Sequence, residues 1–197
     1  MEDVWFKPLV WTDYRLALLF TLILPLLLLV GSAINGVESI RRLLIIYWRV
    51  ASLLMIAMYL MIPGWPLAFA VGFIARILIP ISLWFWVDLN DEIKDLPPSF
   101  LKLALTSWRW AVTVYCSLDA IASFPFLSCA FSPGAIKTPF CQVWMSGPWQ
   151  YQSIFHSHAT SAFLGFLGLV SLVLYVLYFA HFLFFRLGKQ GRSALEQ

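Results

Sequence analysis

Five apolar stretches, each about as long as a lipid bilayer is thick, constrain this sequence more than any other feature. They cover residues 14–34, 43–62, 66–87, 103–127 and 162–185. A transmembrane helix needs roughly 20 such residues to cross about 30 Å of hydrocarbon. None of the stretches alternates as a membrane β-strand does, and lipid offers backbone groups no hydrogen-bond partner. The chain is therefore predicted to be an all-α integral membrane protein, a single-domain bundle of about five transmembrane helices over residues 1–197.

The composition excludes a water-soluble fold. Hydrophobic residues make up 61% of the chain and charged residues only 12%, whereas about a quarter of the residues in a soluble domain are charged. The first apolar stretch contains Pro25, and no small-residue cleavage site leads from it into a soluble domain. We therefore expect this stretch to stay in the mature protein as a span, not to act as a cleaved signal peptide.

The one long connector between spans, residues 130–161, is rich in aromatic side chains. Its aromatic residues include Phe140, Trp144, Trp149, Tyr151 and Phe155. Connectors of this length usually have a function or are disordered, and tryptophan and tyrosine favour the membrane–water interface. We predict an aromatic extramembrane cap between the fourth and fifth helices.

The cations predict how the chain is oriented in its membrane. With five spans, one side carries Lys7, Arg15 and Lys137, and the other carries Arg41, Arg42, Lys94, Lys102, Arg186, Lys189 and Arg192. The side with more cations is expected to be cytoplasmic. The C-terminus is thus predicted to be cytoplasmic, and the N-terminus and the cap to be lumenal or periplasmic.

The three cysteines fit that orientation. Cys129 and Cys141 flank the start of the cap, while Cys116 lies inside the fourth span. Disulfides form in oxidising compartments such as the one predicted for the cap. We predict a Cys129–Cys141 disulfide and a free thiol at Cys116; the alternative is two unrelated buried thiols.

Charged side chains within the spans are the strongest candidates for function, because burying a charge in hydrocarbon is costly. Arg76 lies near the middle of the third span, four residues before Pro80, and Asp119 lies in the fourth span. An arginine side chain could bridge between them. We predict an intramembrane ion pair of Arg76 and Asp119, either as a structural lock between two helices or as part of a proton or ion path.

Two further arginines, Arg49 and Arg109, lie closer to the cytoplasmic ends of their spans, and each follows a tryptophan, Trp48 or Trp108. Arginines flanked by aromatic rings can be simple interfacial anchors. The alternative is a shared site that binds an anionic lipid or a partner. With Asp119 as the only acid counted within the spans, the interior is predicted to need an external anion.

Small side chains recur along one face of the fifth span. They are Ser161, Gly165, Gly168 and Ser171. Rows of small residues let membrane helices approach one another closely, so this face is predicted to be a packing seam.

The remaining polar groups give weaker signals. They are the His156 and His158 pair in the cap, His181 in the fifth span, and the acidic group Asp88, Asp91, Glu92 and Asp95. A zinc site needs three or four ligands, more than the histidine pair supplies. The acidic group is not accompanied by a second acidic motif. The sequence has no nucleophile elbow, phosphate loop or zinc-protease helix. No catalytic residue, metal site or enzyme activity is predicted.

Several stretches of the chain resemble a family of uncharacterised cyanobacterial membrane proteins, a domain of unknown function. The stretches are residues 9–17, 43–54, 75–90, 139–144 and 185–195, which together span nearly the whole chain. The resemblance implies a photosynthetic bacterial cell, with a thylakoid or plasma membrane as host. It carries no activity or catalytic residue.

Two classes of function follow from these observations. The first is a non-enzymatic subunit or assembly factor that docks to a larger membrane complex, for which a photosystem is one candidate. The ten tryptophans and seventeen phenylalanines offer more contact surface than five helices need for their own packing. The second is a small transporter or anionic-lipid-handling protein that uses the intramembrane arginines. Bound lipid is expected and nucleic acid is not, and pigment binding through His181 is a third interpretation.

Overall fold

The computed structural model describes residues 4–132, 134–187 and 192–194, and over these residues the chain is helical without a β-strand. Its main helices are α1 (Lys7–Ile34), α2 (Glu38–Met61), α3 (Leu67–Trp84), α4 (Val87–Asp95), α5 (Phe100–Ser123), α6 (Ser146–Phe155) and α7 (Ser161–His181). Within the described ranges, α1, α2, α3, α5 and α7 are long and apolar enough to cross a membrane. This fits the multi-pass protein that the sequence predicts.

Three of the other four long helices pack against α2. It contacts α1, α3 and α7, while α5 packs against α1 and α3. The N-terminal end of α1 and the α5–α7 connector share one end of the bundle, here called the cap end. The short helix α4 and residues 192–194 lie together at the other, the α4 end, where the Val87 N–H donates to the Arg192 carbonyl (3.3 Å). Two cations on which the predicted orientation depends lie outside the described residues. They are Lys189 and the Arg186 side chain.

The cap is a chain of short helical turns that closes one end of the bundle. A disulfide joins Cys129 to Cys141 in this segment, and Cys116 is a buried free thiol. Trp144 is buried among bundle residues, and the Tyr14 hydroxyl of α1 donates to its carbonyl oxygen. The predicted aromatic cap is thus a packed part of the fold.

A proline in α1 shapes the contact between α1 and the bundle core. Pro25 has no N–H, so the Thr21 carbonyl lacks its usual helical donor, and α1 is π-helical over Leu18–Ile23. The Tyr47 hydroxyl of α2 donates to that Thr21 carbonyl at 2.7 Å. The indole Nε1 of Trp108 donates to the neighbouring Phe20 carbonyl at 2.8 Å. Two buried aromatic side chains therefore satisfy the backbone where α1 departs from a regular helix.

The predicted seam on α7 packs against α2 at two of its four positions. A methyl group on Gly165 would come within 2.5 Å of the Pro63 ring, and one on Gly168 within 3.2 Å of the Leu60 backbone nitrogen. A methyl group would clash at Gly165, and at Gly168 it would fit only if its neighbours shifted by a few tenths of an ångström. Leu164 is the one other buried residue of α7, so the tightest packing of the helix lies in the half nearest the cap, with Leu172 and Tyr175 partly buried beyond it.

Candidate functional site

The Arg76 and Asp119 side chains meet inside the bundle. Arg76 Nε of α3 donates to Asp119 Oδ2 of α5, and both side chains are largely buried. A methyl group on Gly72, one turn earlier in α3, would come within 3.0 Å of Arg76 Nη1. The glycine thus leaves room for the guanidinium, and the pair that the sequence predicts links two of the long helices.

A second acid, Asp13, lies beside this pair. Its Oδ2 is 3.9 Å from Arg76 Nη2, and its Oδ1 accepts a 2.8 Å hydrogen bond from the Tyr115 hydroxyl. The expectation that Asp119 is the only acid facing the intramembrane arginines is therefore wrong. The first apolar stretch was taken to begin at residue 14, whereas α1 begins at Lys7. Pro8 marks that start, because proline is favoured in the first turn of a helix.

Arg76, Asp119 and Asp13 form a cluster, here called the charge cluster, that ties α1, α3 and α5 together. With its three groups ionised, two carboxylates face one guanidinium, so the cluster has a formal charge of minus one. It needs no external anion. The side-chain exposures of Arg76, Asp13 and Asp119 are 16%, 17% and 8%, and breaking such a buried pair is costly.

Arg109 makes its polar contacts through Nη2, while its Nε is buried with no hydrogen-bond partner in the described part of the chain. Its Nη2 donates to the Leu83 carbonyl at 2.8 Å and to Asn90 Oδ1 at 2.6 Å, and its guanidinium lies 4.1 Å from the centre of the Trp84 ring. The last carbonyls of a helix lack intrahelical donors, and a cation is favourable there. Arg109 therefore caps the C-terminal end of α3. Arg109 is only 5% exposed and does not reach a head group or a partner. This corrects the expectation that it shares a site for an anionic lipid or a partner.

Arg49 has a different environment. It is exposed on α2, and its Nη1 donates to the Tyr178 hydroxyl of α7 at 3.3 Å. No carboxylate lies within ion-pair distance of it among the described residues. Arg49 and Arg109 thus contact different helices and do not form a shared site.

The two tryptophans grouped with these arginines pack around Tyr47. The ring centroids of Trp48 and Trp108 lie 6.0 and 5.0 Å from that of Tyr47. Trp108 is buried and bonded to α1. Trp48 Nε1 is buried with no hydrogen-bond partner in the described part of the chain. Both tryptophans pack in the core and do not line a site for an anion.

A groove opens beside Arg49, between α7 on one side and α3 with α2 on the other. We call it the α3–α7 groove. Its apolar lining comprises Ile46, Val50, Leu78, Ile81, Phe85, Trp86, Tyr175, Phe179, Phe182, Leu183 and Leu187, and its other lining residues are Arg49, Ser82 and Tyr178. The sequence gives no direct sign of this groove, because it depends on how far α7 stands from α3.

Of the histidines, His156 links two segments of the fold. His156 Nε2 lies 2.9 Å from the Tyr59 hydroxyl and 3.3 Å from that of Tyr151, which links the cap to α2. The His181 ring packs on Phe185. In the described ranges, His, Cys, Asp and Glu side chains form no group of three that could hold a metal ion.

Asp88, the first of the acidic residues, holds the C-terminal segment at the α4 end. Its Oδ2 accepts from the Ala194 N–H at 2.6 Å and from the Ser193 hydroxyl at 3.1 Å. Beside it, Arg192 Nε donates to the Phe85 carbonyl at 2.9 Å. These contacts fasten the segment next to one end of the groove.

Comparison with known proteins gives one match. The model of a family described as "Protein of unknown function (DUF3177)" matches residues 7–195. No curated protein and no solved structure matches the chain.

Proposed function

The chain belongs to this family of proteins of unknown function, and we propose that it is a non-enzymatic subunit or assembly factor of a larger membrane complex. The observation that carries the proposal is the way α7 is attached. Its three fully buried residues lie near the cap end, beyond them Leu172 and Tyr175 pack only partly against the core, and its outer face is exposed.

The face of α7 opposite its seam is a continuous apolar stripe. At 100° per residue, four exposed side chains fall on it, and we call them the outer stripe: Phe166, Val170, Val173 and Leu177. Helices associate in lipid through van der Waals packing of complementary surfaces. A long helix whose inner face packs on its own bundle while its outer face is exposed is well suited to bridge that bundle and a neighbouring protein.

We propose that the host is a cyanobacterial thylakoid or plasma membrane, with the α4 end cytoplasmic and the cap end lumenal or periplasmic. The cations of the described chain support this orientation: Arg41, Arg42, Lys94, Lys102 and Arg192 belong to the α4 end. The disulfide at the cap end agrees with an oxidising compartment. Reporter fusions at the two termini test it, and equal cytoplasmic signals from both would contradict it.

The docking proposal is tested by mild-detergent affinity purification and identification of the proteins that co-purify, with a photosystem as one candidate. The test variant carries Phe166→Ala and Leu177→Ala on the outer stripe. The matched control carries Leu26→Ala and Leu27→Ala, which remove exposed apolar side chains from α1. We expect the wild type and the control to retain the complex and the α7 variant to lose it. Purification of all three as lone proteins would refute docking.

The second candidate function is the handling of an anionic lipid, and Arg49 is the observation that favours it. Of the three intramembrane arginines, Arg76 has two carboxylates nearby and Arg109 caps a helix end. Arg49 has only a hydroxyl as its side-chain partner among the described residues. A transport path along all three arginines is not supported, because two of them are engaged by the protein.

A further inference from the structure

We propose that the α3–α7 groove is a binding site for one anionic phospholipid, with an acyl chain in the groove and the phosphate paired with Arg49. The inference does not depend on docking to a complex. It concerns the side of α7 that faces the bundle, whereas docking concerns the outer stripe.

The first step is the unmatched charge of Arg49. Arg49 lies eleven residues after Glu38, the start of α2, which is about 16 Å along the helix axis. A cation at such a depth is costly unless it is paired or reaches the interface. The Tyr178 hydroxyl takes one of the five N–H donors of the guanidinium. No described carboxylate lies within ion-pair distance of the other donors, which can therefore bind an anion such as a lipid phosphate.

The second step is the direction of the Arg49 side chain. In a helix the Cα–Cβ bond tilts toward the N-terminus, and the N-terminus of α2 is at the α4 end. The guanidinium is therefore directed toward the lipid head groups nearest the α4 end. A long arginine side chain can extend along an apolar surface with its charge at the interface, so a phosphate near that interface is within its range.

The third step is the origin and lining of the groove. α7 approaches α2 most closely at Gly165 and Gly168, near the cap end. Beyond Gly168 the bundle-facing residues of α7, such as Leu172 and Tyr175, are only partly buried, and the groove opens there between α7 and α3. The opening extends from Leu78 and Tyr175 inside the bundle to Trp86 at the α4 end. A largely apolar groove with a cation on its wall matches an acyl chain joined to an anionic head group.

The chemistry favours a phosphate over a partner's carboxylate as the anion. Both anions accept two parallel hydrogen bonds from a guanidinium. A carboxylate side chain inserted here would bring no apolar group long enough to fill the groove from Trp86 to Leu78. A phospholipid supplies both parts in one molecule, and the membrane supplies it at high concentration.

The test uses the full-length protein in mild detergent, titrated with phosphatidylglycerol or phosphatidylcholine and read by native mass spectrometry. Three variants separate the contributions. Arg49→Gln removes the charge, Ile81→Trp fills the groove from a half-exposed position, and Arg15→Gln removes an exposed cation from α1 outside the groove. Size-exclusion profiles report whether each variant folds.

We expect wild type and Arg15→Gln to bind one phosphatidylglycerol in preference to phosphatidylcholine. Arg49→Gln should weaken that binding by roughly ten- to a hundredfold, as expected for the loss of a hydrogen bond between charged groups. Ile81→Trp should abolish it with Arg49 intact, and this variant decides the question if Arg49→Gln does not fold. Inorganic phosphate should not compete, because it lacks the acyl chain.

Three results would overturn the proposal. The first is equal phosphatidylglycerol binding by wild type and Arg49→Gln. The second is equal binding of phosphatidylglycerol and phosphatidylcholine by the wild type. The third is loss of a co-purifying protein from Arg49→Gln with its lipid unchanged, which would identify the anion as a partner's carboxylate. Loss of docking in the outer-stripe variant with lipid retained would bear on the docking function alone.

Discussion

Removing the two acids of the charge cluster singly and together should give unequal and non-additive losses of stability. Asp119 is in direct contact with Arg76, whereas Asp13 is 3.9 Å away and also accepts from Tyr115. Asp119→Asn should lower the free energy of unfolding by about 3 kcal/mol. This is the lower end of the range for breaking a buried pair, because Asp13 still faces the arginine. Asp13→Asn should cost less than about 1 kcal/mol, since it keeps an oxygen for Tyr115 and leaves one acid for one arginine.

The double variant is the informative one. With both acids replaced, Arg76 is buried without a counter-charge, and the cost should exceed the sum of the two single losses by roughly 1–3 kcal/mol, the coupling found for groups in one network. The free energy of unfolding can be measured by titrating the protein in mixed micelles with a denaturing detergent. Thr12→Ala, which removes a hydroxyl bonded only within α1, is the control for changes to that helix and should be near neutral.

Two results would refute this reasoning. If the double variant loses no more than the sum of the singles within about 0.5 kcal/mol, the acids act independently. If Asp119→Asn is as stable as wild type, the Arg76–Asp119 contact does not stabilise the bundle.

Three further predictions concern packing and covalent structure. In the unfolded protein, alkylation read by mass spectrometry should label Cys116 without reductant. Cys129 and Cys141 should be labelled only after reduction, and their labelling without reductant would contradict the disulfide. Tyr47→Phe should cost about 1 kcal/mol of unfolding free energy, because a carbonyl of α1 loses its donor. Gly165→Val should detach α7 from α2 and raise its protease sensitivity, since even a methyl group clashes with the adjoining proline; unchanged resistance would contradict the seam.

The hydropathy pattern was enough to predict the five long helices, because spanning hydrocarbon requires long apolar helices whatever their tertiary contacts. Arg76 and Asp119 could be paired from sequence for a related reason: a charge at that depth needs a counter-charge, and few candidates exist. The aromatic composition of the connector similarly predicted a packed cap. In each case the free-energy cost of placing a residue or segment in unsuitable surroundings was enough to predict its position.

The roles of Asp13 and Arg109 could not be predicted in the same way. Asp13 lies in a turn of α1 that is too polar to be recognised by hydropathy, although it is helical and faces the bundle. Arg109 binds a backbone carbonyl that is free only because α3 ends at Trp84, three residues before the predicted end of the span. Backbone carbonyls carry no residue-type signal, so such a partner becomes visible only when the helix end is known.

The two proposals make a joint prediction, because both use α7. Docking would use its outer stripe, and the lipid would fill the space between its inner face and α3. An acyl chain in the α3–α7 groove would support the half of α7 that the glycine seam does not reach, and would thereby fix the position of the outer stripe. Phosphatidylglycerol should then strengthen docking, and by thermodynamic linkage the partner should strengthen lipid binding by the same factor.

This coupling can be measured as the affinity of the co-purified complex with and without phosphatidylglycerol, in wild type and in Ile81→Trp. We expect the lipid to strengthen the complex by roughly five- to 150-fold in wild type, the usual range for coupled sites, and to have no effect in Ile81→Trp because the groove is filled. A lipid effect of equal size in both proteins would mean that the lipid acts elsewhere. Its absence from both would mean that α7 is held firmly enough by Gly165 and Gly168 alone, so that the groove and the outer stripe function independently.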